Sequence, residues 1–138
     1  MKNVLFGNEV ERMLDLIFRF MKVLFKIYYF LRPAKNYLKK FGIKKHNLTN
    51  VIPVLSHGSG SDIPDDACDL IFAIDMFHMV KEPYQFLKEL CRIIRINGIL
   101  IIEDGHQPRT ATREKILKSG CWKIITEEKR FLRCTHLK

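Results

Sequence analysis

ACDLIFAIDMFHMV (residues 67–80), KEPYQFLKELCRIIRIN (81–97) and GILIIEDG (98–105) make up the stretch whose reading decides the fold. Its two apolar runs, Leu70 to Ile74 and Ile99 to Ile102, do not alternate with polar residues, which is the pattern of parallel strands buried on both faces. Between them Phe86, Leu87, Leu90, Ile93 and Ile94 recur at helical spacing. Pro83 suits a first helical position, and Asn97-Gly98 reads as a left-handed stop. The stretch therefore predicts a strand, a crossover helix and a second, parallel strand.

Both runs end in ionisable residues: Asp75 and His78 after the first, Glu103, Asp104 and His106 after the second. Open α/β sheets bind ligands outside the carboxyl ends of their strands, so this edge is the candidate site. Polar residues also mark where any buried strand meets solvent, and that plainer reading stands beside the functional one.

Composition bounds the rest. The 138 residues suffice for one domain with a real core. Cys68, Cys91, Cys121 and Cys134 form no Cys-x-x-Cys, and no leader is recognisable. Reduced thiols and a cytoplasmic location are expected, and a cysteine zinc site is not. The net charge of +9 is uneven: residues 1–50 carry +8, residues 51–108 carry −5 and residues 109–138 carry +6. A nucleic acid is not expected at a site edge holding Asp75, Glu103 and Asp104, because those carboxylates repel phosphate.

Upstream, Val10 to Leu31 reads as one long helix, with Arg12, Asp15, Arg19, Lys22 and Lys26 on a charged stripe and a wide apolar face opposite. Four charges between Met13 and Leu31 argue against a span, which needs about 20 mostly uncharged residues. The apolar face suits the sheet, a dimer partner or, with its basic stripe, peripheral contact with an anionic membrane. A second helix is expected over Ala34 to Phe41, a basic link from Ile43 to Asn50, and a short strand over Val51 to Leu55 that Pro53 assigns to an edge. Gly58-Ser59-Gly60 is followed by Ile63-Pro64-Asp65-Asp66 rather than by a helix, and reads as a turn. After the central unit come a helix over Pro108 to Ser119, with Ile116 and Leu117 inward and Gly120 as its stop, and a hairpin of Trp122 to Thr126 with Phe131 to Thr135.

Asp69-Leu70-Ile71, Phe77-His78-Met79-Val80, Phe86 to Leu90 with Arg92-Ile93-Ile94, and Asn97 to Ile102 together resemble the second half of class I S-adenosylmethionine-dependent methyltransferases. The resemblance covers about Asn50 to Lys138. Arg32 to Ile43 is also similar to the helix that leads into the family's first strand. Lys44 and Lys45 then run straight into the approach to the third strand, so the first two strands and the glycine-rich cofactor loop, about 45 residues, are expected to be missing. Where the family has a small residue and an aspartate for the adenine, this chain has Ser56-His57.

The expected fold is thus α/β: a reduced, Rossmann-like methyltransferase sheet, mostly parallel, with a C-terminal antiparallel hairpin, packed helices and an N-terminal apolar helix. Residues 1–45 would form the helical segment and residues 46–138 the partial methyltransferase-like domain, in one compact unit. The resemblance implies S-adenosylmethionine as cofactor, with Ser56, His57, Asp75 and Met76 on the cofactor side and His78, His106 and Asp104 on the catalytic side. Histidine ordinarily titrates nearest neutrality, which suits either one to general base work. Asp75, His78, Asp104 and His106 also raise a weaker idea of a divalent metal. A truncated chain leaves two functions open, a reduced methyltransferase and a non-catalytic scaffold that binds a protein partner. The strand Leu70 to Ile74, left with an open edge, would need Val51 to Leu55 beside it, or else the N-terminal helix or a second chain, as in a homodimer, to cover it.

Overall fold

The computed structural model describes residues 2–6, 25–31, 51–57, 60–74 and 76–137. Eight strands form one sheet in the order β4-β3-β2-β1-β5-β6-β8-β7. They are β1 (Lys2–Phe6), β2 (Phe25–Leu31), β3 (Val51–His57), β4 (Gly60–Ser61), β5 (Cys68–Ala73), β6 (Ile94–Glu103), β7 (Trp122–Glu127) and β8 (Phe131–His136). A single 3₁₀ turn, Phe77–Met79, follows β5; helix α1 (Pro83–Ile93) links β5 to β6, and α2 (Arg109–Lys118) links β6 to β7. The sheet joins strands from both sides of position 45.

The central unit is as read: β5 and β6 are parallel, with Ile71 opposite Leu100 and α1 between them. The junction differs. Helix α1 ends at Ile93, capped by an extended Ile94, and β6 begins there, so Asn97-Gly98 lies inside the strand rather than at a helix stop. Gly98 is needed for another reason. A Cβ there would sit 2.4 Å from Cγ1 of Ile94 and 2.9 Å from the Arg95 carbonyl oxygen, so the kinked start of β6 has room only for hydrogen. Burial alternates along both strands: Ile71, Ala73, Leu100 and Ile102 are fully buried, while Leu70, Phe72, Ile99 and Ile101 are half-buried.

The N-terminal half corrects the sequence reading. Strand β1 fills the expected open edge of β5, with Val4 opposite Leu70 and Phe6 opposite Phe72. Strand β2 pairs with β1, and β3 with β2, all parallel. The two strands expected to be missing are therefore supplied by Lys2–Phe6 and Phe25–Leu31. The helix drawn over Val10 to Leu31 cannot include its last seven residues, Phe25-Lys-Ile-Tyr-Tyr-Phe-Leu31, which are aromatic and β-branched and form β2. Val51–His57 does not lie beside β5; β2 and β1 stand between them. Its Pro53 faces Tyr29 of β2, and among the described residues only Ser56 and His57 pair on its other side, with Ser61 and Gly60. The proline thus keeps the edge role it was assigned. The expected helix over Ala34 to Phe41, the link from Ile43 to Asn50 and the first part of the long helix lie outside the described residues.

The C-terminal hairpin is antiparallel, with β8 against β6 and β7 at the edge. Helix α2 stops at Gly120, whose φ is +74°. Ile116 is buried as expected, but Leu117 is half exposed at 52 %, and Thr112 takes the second inward position. Leu87, Leu90 and Ile93 of α1 join Ile71, Leu100, Ile102, Ile116 and Trp122 in one core, each buried aliphatic contributing about 1.5–3 kcal/mol. The Trp122 Nε1–H donates to the Leu87 carbonyl at 2.9 Å, tying the strand that follows α2 to α1.

An ion-pair cluster fixes the approach to β5. Arg92 donates through Nε and Nη2 to the two oxygens of Glu89, at 2.9 and 2.7 Å, and through Nη2 to the Ile63 carbonyl at 2.8 Å; it also pairs with Asp65. The Ser61 hydroxyl donates to Glu89 at 2.7 Å. Burial alone would raise the Glu89 carboxyl, but hydrogen bonds from Arg92 and Ser61 outweigh it and hold the group below its ordinary value. A depressed carboxyl contributes stability that is fully present above its ordinary pKa, 4.5, and lost as pH falls through the folded value. Glu89→Gln is expected to destabilise the fold by about 1.5–3 kcal/mol at pH 7, with the difference from the parent shrinking as pH falls below 4.5. Urea unfolding of both proteins from pH 7 to pH 3 measures this. A difference that stays constant across the range would refute the linkage.

Candidate functional site

The register levels the carboxyl ends of the parallel strands. Phe6 lies opposite Tyr29 and Phe72, Leu31 opposite Leu55, and Ala73 opposite Ile102. The ends Phe6, Leu31, Ser56-His57, Ala73 and Glu103 therefore share one edge, with Ile74 following β5 and Asp104 following β6. Ser56 and His57 take part in this edge through the short antiparallel pairing with β4. Asp75 lies outside the described residues. Met76 precedes the 3₁₀ turn, and its half-buried side chain packs against the core.

The turn after β5 is set by Phe77, which is wholly buried. Its ring packs at 6.2 Å from that of Phe86 on α1, and the Lys115 ammonium lies 5.5 Å above it. With Phe77 pinned inward, its neighbour His78 is carried to the sheet edge. There it meets His106, the two rings lying 4.9 Å apart and nearly perpendicular, at 89°. The structure thus brings together the two histidines singled out in the sequence, from loops after two different strands.

Gly105 makes this meeting possible. Its φ of +63° belongs to the left-handed region, and a Cβ on it would fall 2.0 Å from His78 Nδ1. Nδ1 of His78 is buried with no hydrogen-bond partner, an uncommon state for a buried nitrogen. Nothing in the composition signals Gly105; its contact with His78 exists only once β5 and β6 are adjacent.

Asp104 plays a different part from the histidines. Its Oδ2 accepts from Arg109 Nε at 2.7 Å, while Oδ1 is buried without a partner. Arg109 continues through Nη2 to the Glu128 carbonyl at 2.9 Å and reaches Glu127 at 3.8 Å, so the carboxylate ties the start of α2 to the β7–β8 turn. Arg113 pairs with the same Glu127. Glu103 is paired with Arg130 at 3.0 Å. Glu103 and Asp104, two of the acids read at this edge, are thus each paired with an arginine from the basic C-terminal segment. Lys115 donates to Gln107 at 2.6 Å and closes the loop between β6 and α2. Among the described residues no group of three or more His, Cys, Asp or Glu side chains converges on a metal position. No described helix is long and apolar enough to cross a membrane.

The contact at Gly105 can be isolated by substitution. Gly105→Ala and Gly120→Ala both place a side chain at positive φ, which costs about 1–2 kcal/mol, but a Cβ at Gly120 meets nothing within 4 Å. Gly105→Ala is expected to destabilise the protein by at least about 1 kcal/mol more than Gly120→Ala and to shift the His78 imidazole resonances. The excess should vanish in a His78→Ala background. Equal costs at the two glycines would show that the ring contact carries no energy.

A family model described as a methyltransferase domain matches residues 11–102. No curated protein matches the sequence significantly. Among solved structures, a SAM dependent methyltransferase from Aquifex aeolicus superposes with a TM-score of 0.74 at 20 % identity, covering 98 % of this chain and 81 % of that one. A TehB-like SAM-dependent methyltransferase from Corynebacterium glutamicum gives 0.68 at 13 % identity, covering 99 % and 80 %. A Haloferax volcanii protein assigned as a methyltransferase, solved in complex with a methyltransferase activator, gives 0.76 at 11 % identity, covering 94 % of this chain and 64 % of its own. With a level edge of parallel strands, a closing antiparallel hairpin and a family match over two thirds of its length, the chain belongs to the methyltransferase domain family.

Proposed function

We propose that the chain binds S-adenosylmethionine along the carboxyl edge of β1, β2, β3 and β5, and that a methyl group passes there to an acceptor presented between the loops after β5 and β6. The observation that carries this reading is the pairing of His78 with His106 beside that level edge. The backbone around Asp75 and Met76 would hold the methionine end of the cofactor, and Ser56 and His57 would face its adenine. When bound, the cofactor supplies an electrophilic methyl group on a sulfonium.

The chain's own task is to position the acceptor and take up its proton. His106 is exposed at the edge and is the base that meets the acceptor. His78, half-buried against Gly105 and packed on the His106 ring, orients it. Asp104 works at a distance, holding Arg109 and through it the rim formed by the β7–β8 turn. The arginines that pair with Glu103 and Asp104 offset those two charges, and a small uncharged acceptor suits such an edge better than a polyanion.

A second reading is favoured by particular residues. Leu31-Arg32 stands where the family's second strand ends in an acid, and Ser56-His57 where its third ends in a small residue and aspartate. A scaffold that has given up the donor and binds a protein partner would tolerate both changes; one similar fold was solved with an activator protein bound. Calorimetric titration with S-adenosylmethionine and S-adenosylhomocysteine separates the two readings. Binding with a Kd of about 10–100 μM or tighter is expected for the enzyme, with His106→Ala lowering turnover by about 10²–10⁴-fold in an acceptor screen. His78→Ala should leave cofactor affinity intact and move the pH profile. Absence of binding at millimolar ligand turns the function to the scaffold.

A further inference from the structure

The four cysteines divide into two kinds. Cys68 and Cys134 are wholly buried in the sheet, and burial pushes both thiols up to about 12, so they are inert. Cys91 and Cys121 are half-buried, and they face one another across the seam between α1 and the start of β7. Cys91 Sγ lies 3.7 Å from the Cys121 carbonyl oxygen. Cys121 Sγ lies 4.0 Å from the carbonyl of Leu87, one helical turn before Cys91, and 3.5 Å from the carbonyl of Ser119. The adjacent Trp122 Nε1–H bond to that same Leu87 carbonyl locks the seam, so the two thiols are held together by the core rather than by a loose loop. Burial, then the charge and hydrogen bonding of Cys121, push the Cys91 thiol up to about 12.

We propose that Cys91 and Cys121 are a paired modification site that hydrogen peroxide converts to a disulfide, clipping α1 to β7. One thiol is oxidised to a sulfenic acid as the peroxide O–O bond breaks and water leaves. The second sulfur then attacks the sulfenic sulfur, the S–S bond forms, and the hydroxyl departs as a second water with the remaining thiol proton. Two thiols and one peroxide thus yield one disulfide and two waters. The clip would close a loop that contains α2 and all of β6, restraining the unfolded chain. It would also hold the helix whose Phe86 packs on Phe77, the anchor of the histidine turn.

The test uses the full, reduced protein treated with one equivalent of hydrogen peroxide. Alkylation followed by peptide mapping should find an intramolecular Cys91–Cys121 link with Cys68 and Cys134 still free. The link should raise Tm by about 5–10 °C, and dithiothreitol should reverse it. Cys91→Ser and Cys121→Ser, assayed separately, should each lose the rise. Two alkylatable thiols at Cys91 and Cys121 after peroxide, a link that involves Cys68 or Cys134, or covalent dimers in place of the internal bridge would each overturn the proposal.

Discussion

Strand β5 is the constraint on which the structure depends. A parallel strand in mid-sheet needs a hydrogen-bonded neighbour on each side, and every such neighbour must arrive by a crossover. Here β1 and β6 supply the two ladders, one from the far N-terminus and one through α1. Once Val4 to Phe6 pairs with Leu70 to Phe72, and Leu70 to Ala73 with Ile99 to Ile102, the register fixes where each strand stops. The level edge that results, rather than any single side chain, is what brings together the ends of β1, β2, β3, β5 and β6.

The histidine edge follows from that register through two steric facts. Phe77 is buried so completely that its neighbour has little choice of direction, and Gly105 has no side chain to obstruct it. The acids that surround the pair are engaged with arginines, so the charge of the edge is set by partners distant in sequence. Exposed pairs such as Arg130 with Glu103 contribute little stability, and their consequence lies in the potential they leave at the edge.

Helix α1 serves both ends of the molecule. Its first turn carries Phe86 against the histidine turn, its middle offers the Leu87 carbonyl to Trp122, and its last residues hold Glu89, Cys91 and Arg92. The cluster around Arg92 seats the loop that enters β5, while the thiol seam faces the hairpin. One amphipathic segment thus couples the approach to the central strand, the candidate site and the C-terminal hairpin through contacts within three turns.

By itself the sequence determined the strands and helix of residues 68–102, the hairpin of Trp122 to His136, the stop at Gly120 and the positions of His78, Asp104 and His106 at strand ends. Each rests on local spacing, on runs of apolar residues, or on glycine and proline chemistry, which act over a few residues. Tertiary structure alone decided that Phe25–Leu31 is a strand rather than the end of a helix. Its apolar residues fit a helical face and a buried strand equally well, and only a free ladder beside β1 distinguishes them. The same holds for Lys2–Phe6, a run too short to be read without its partner β5, and for the end of α1, where pairing of Ile94 with Cys68 draws the chain into β6 ahead of Gly98. The meeting of Gly105 with His78 and the facing of Cys91 with Cys121 were beyond the sequence for the same reason. Each joins residues about 30 positions apart, and a contact between distant residues is specified only when the sheet register brings their backbones together.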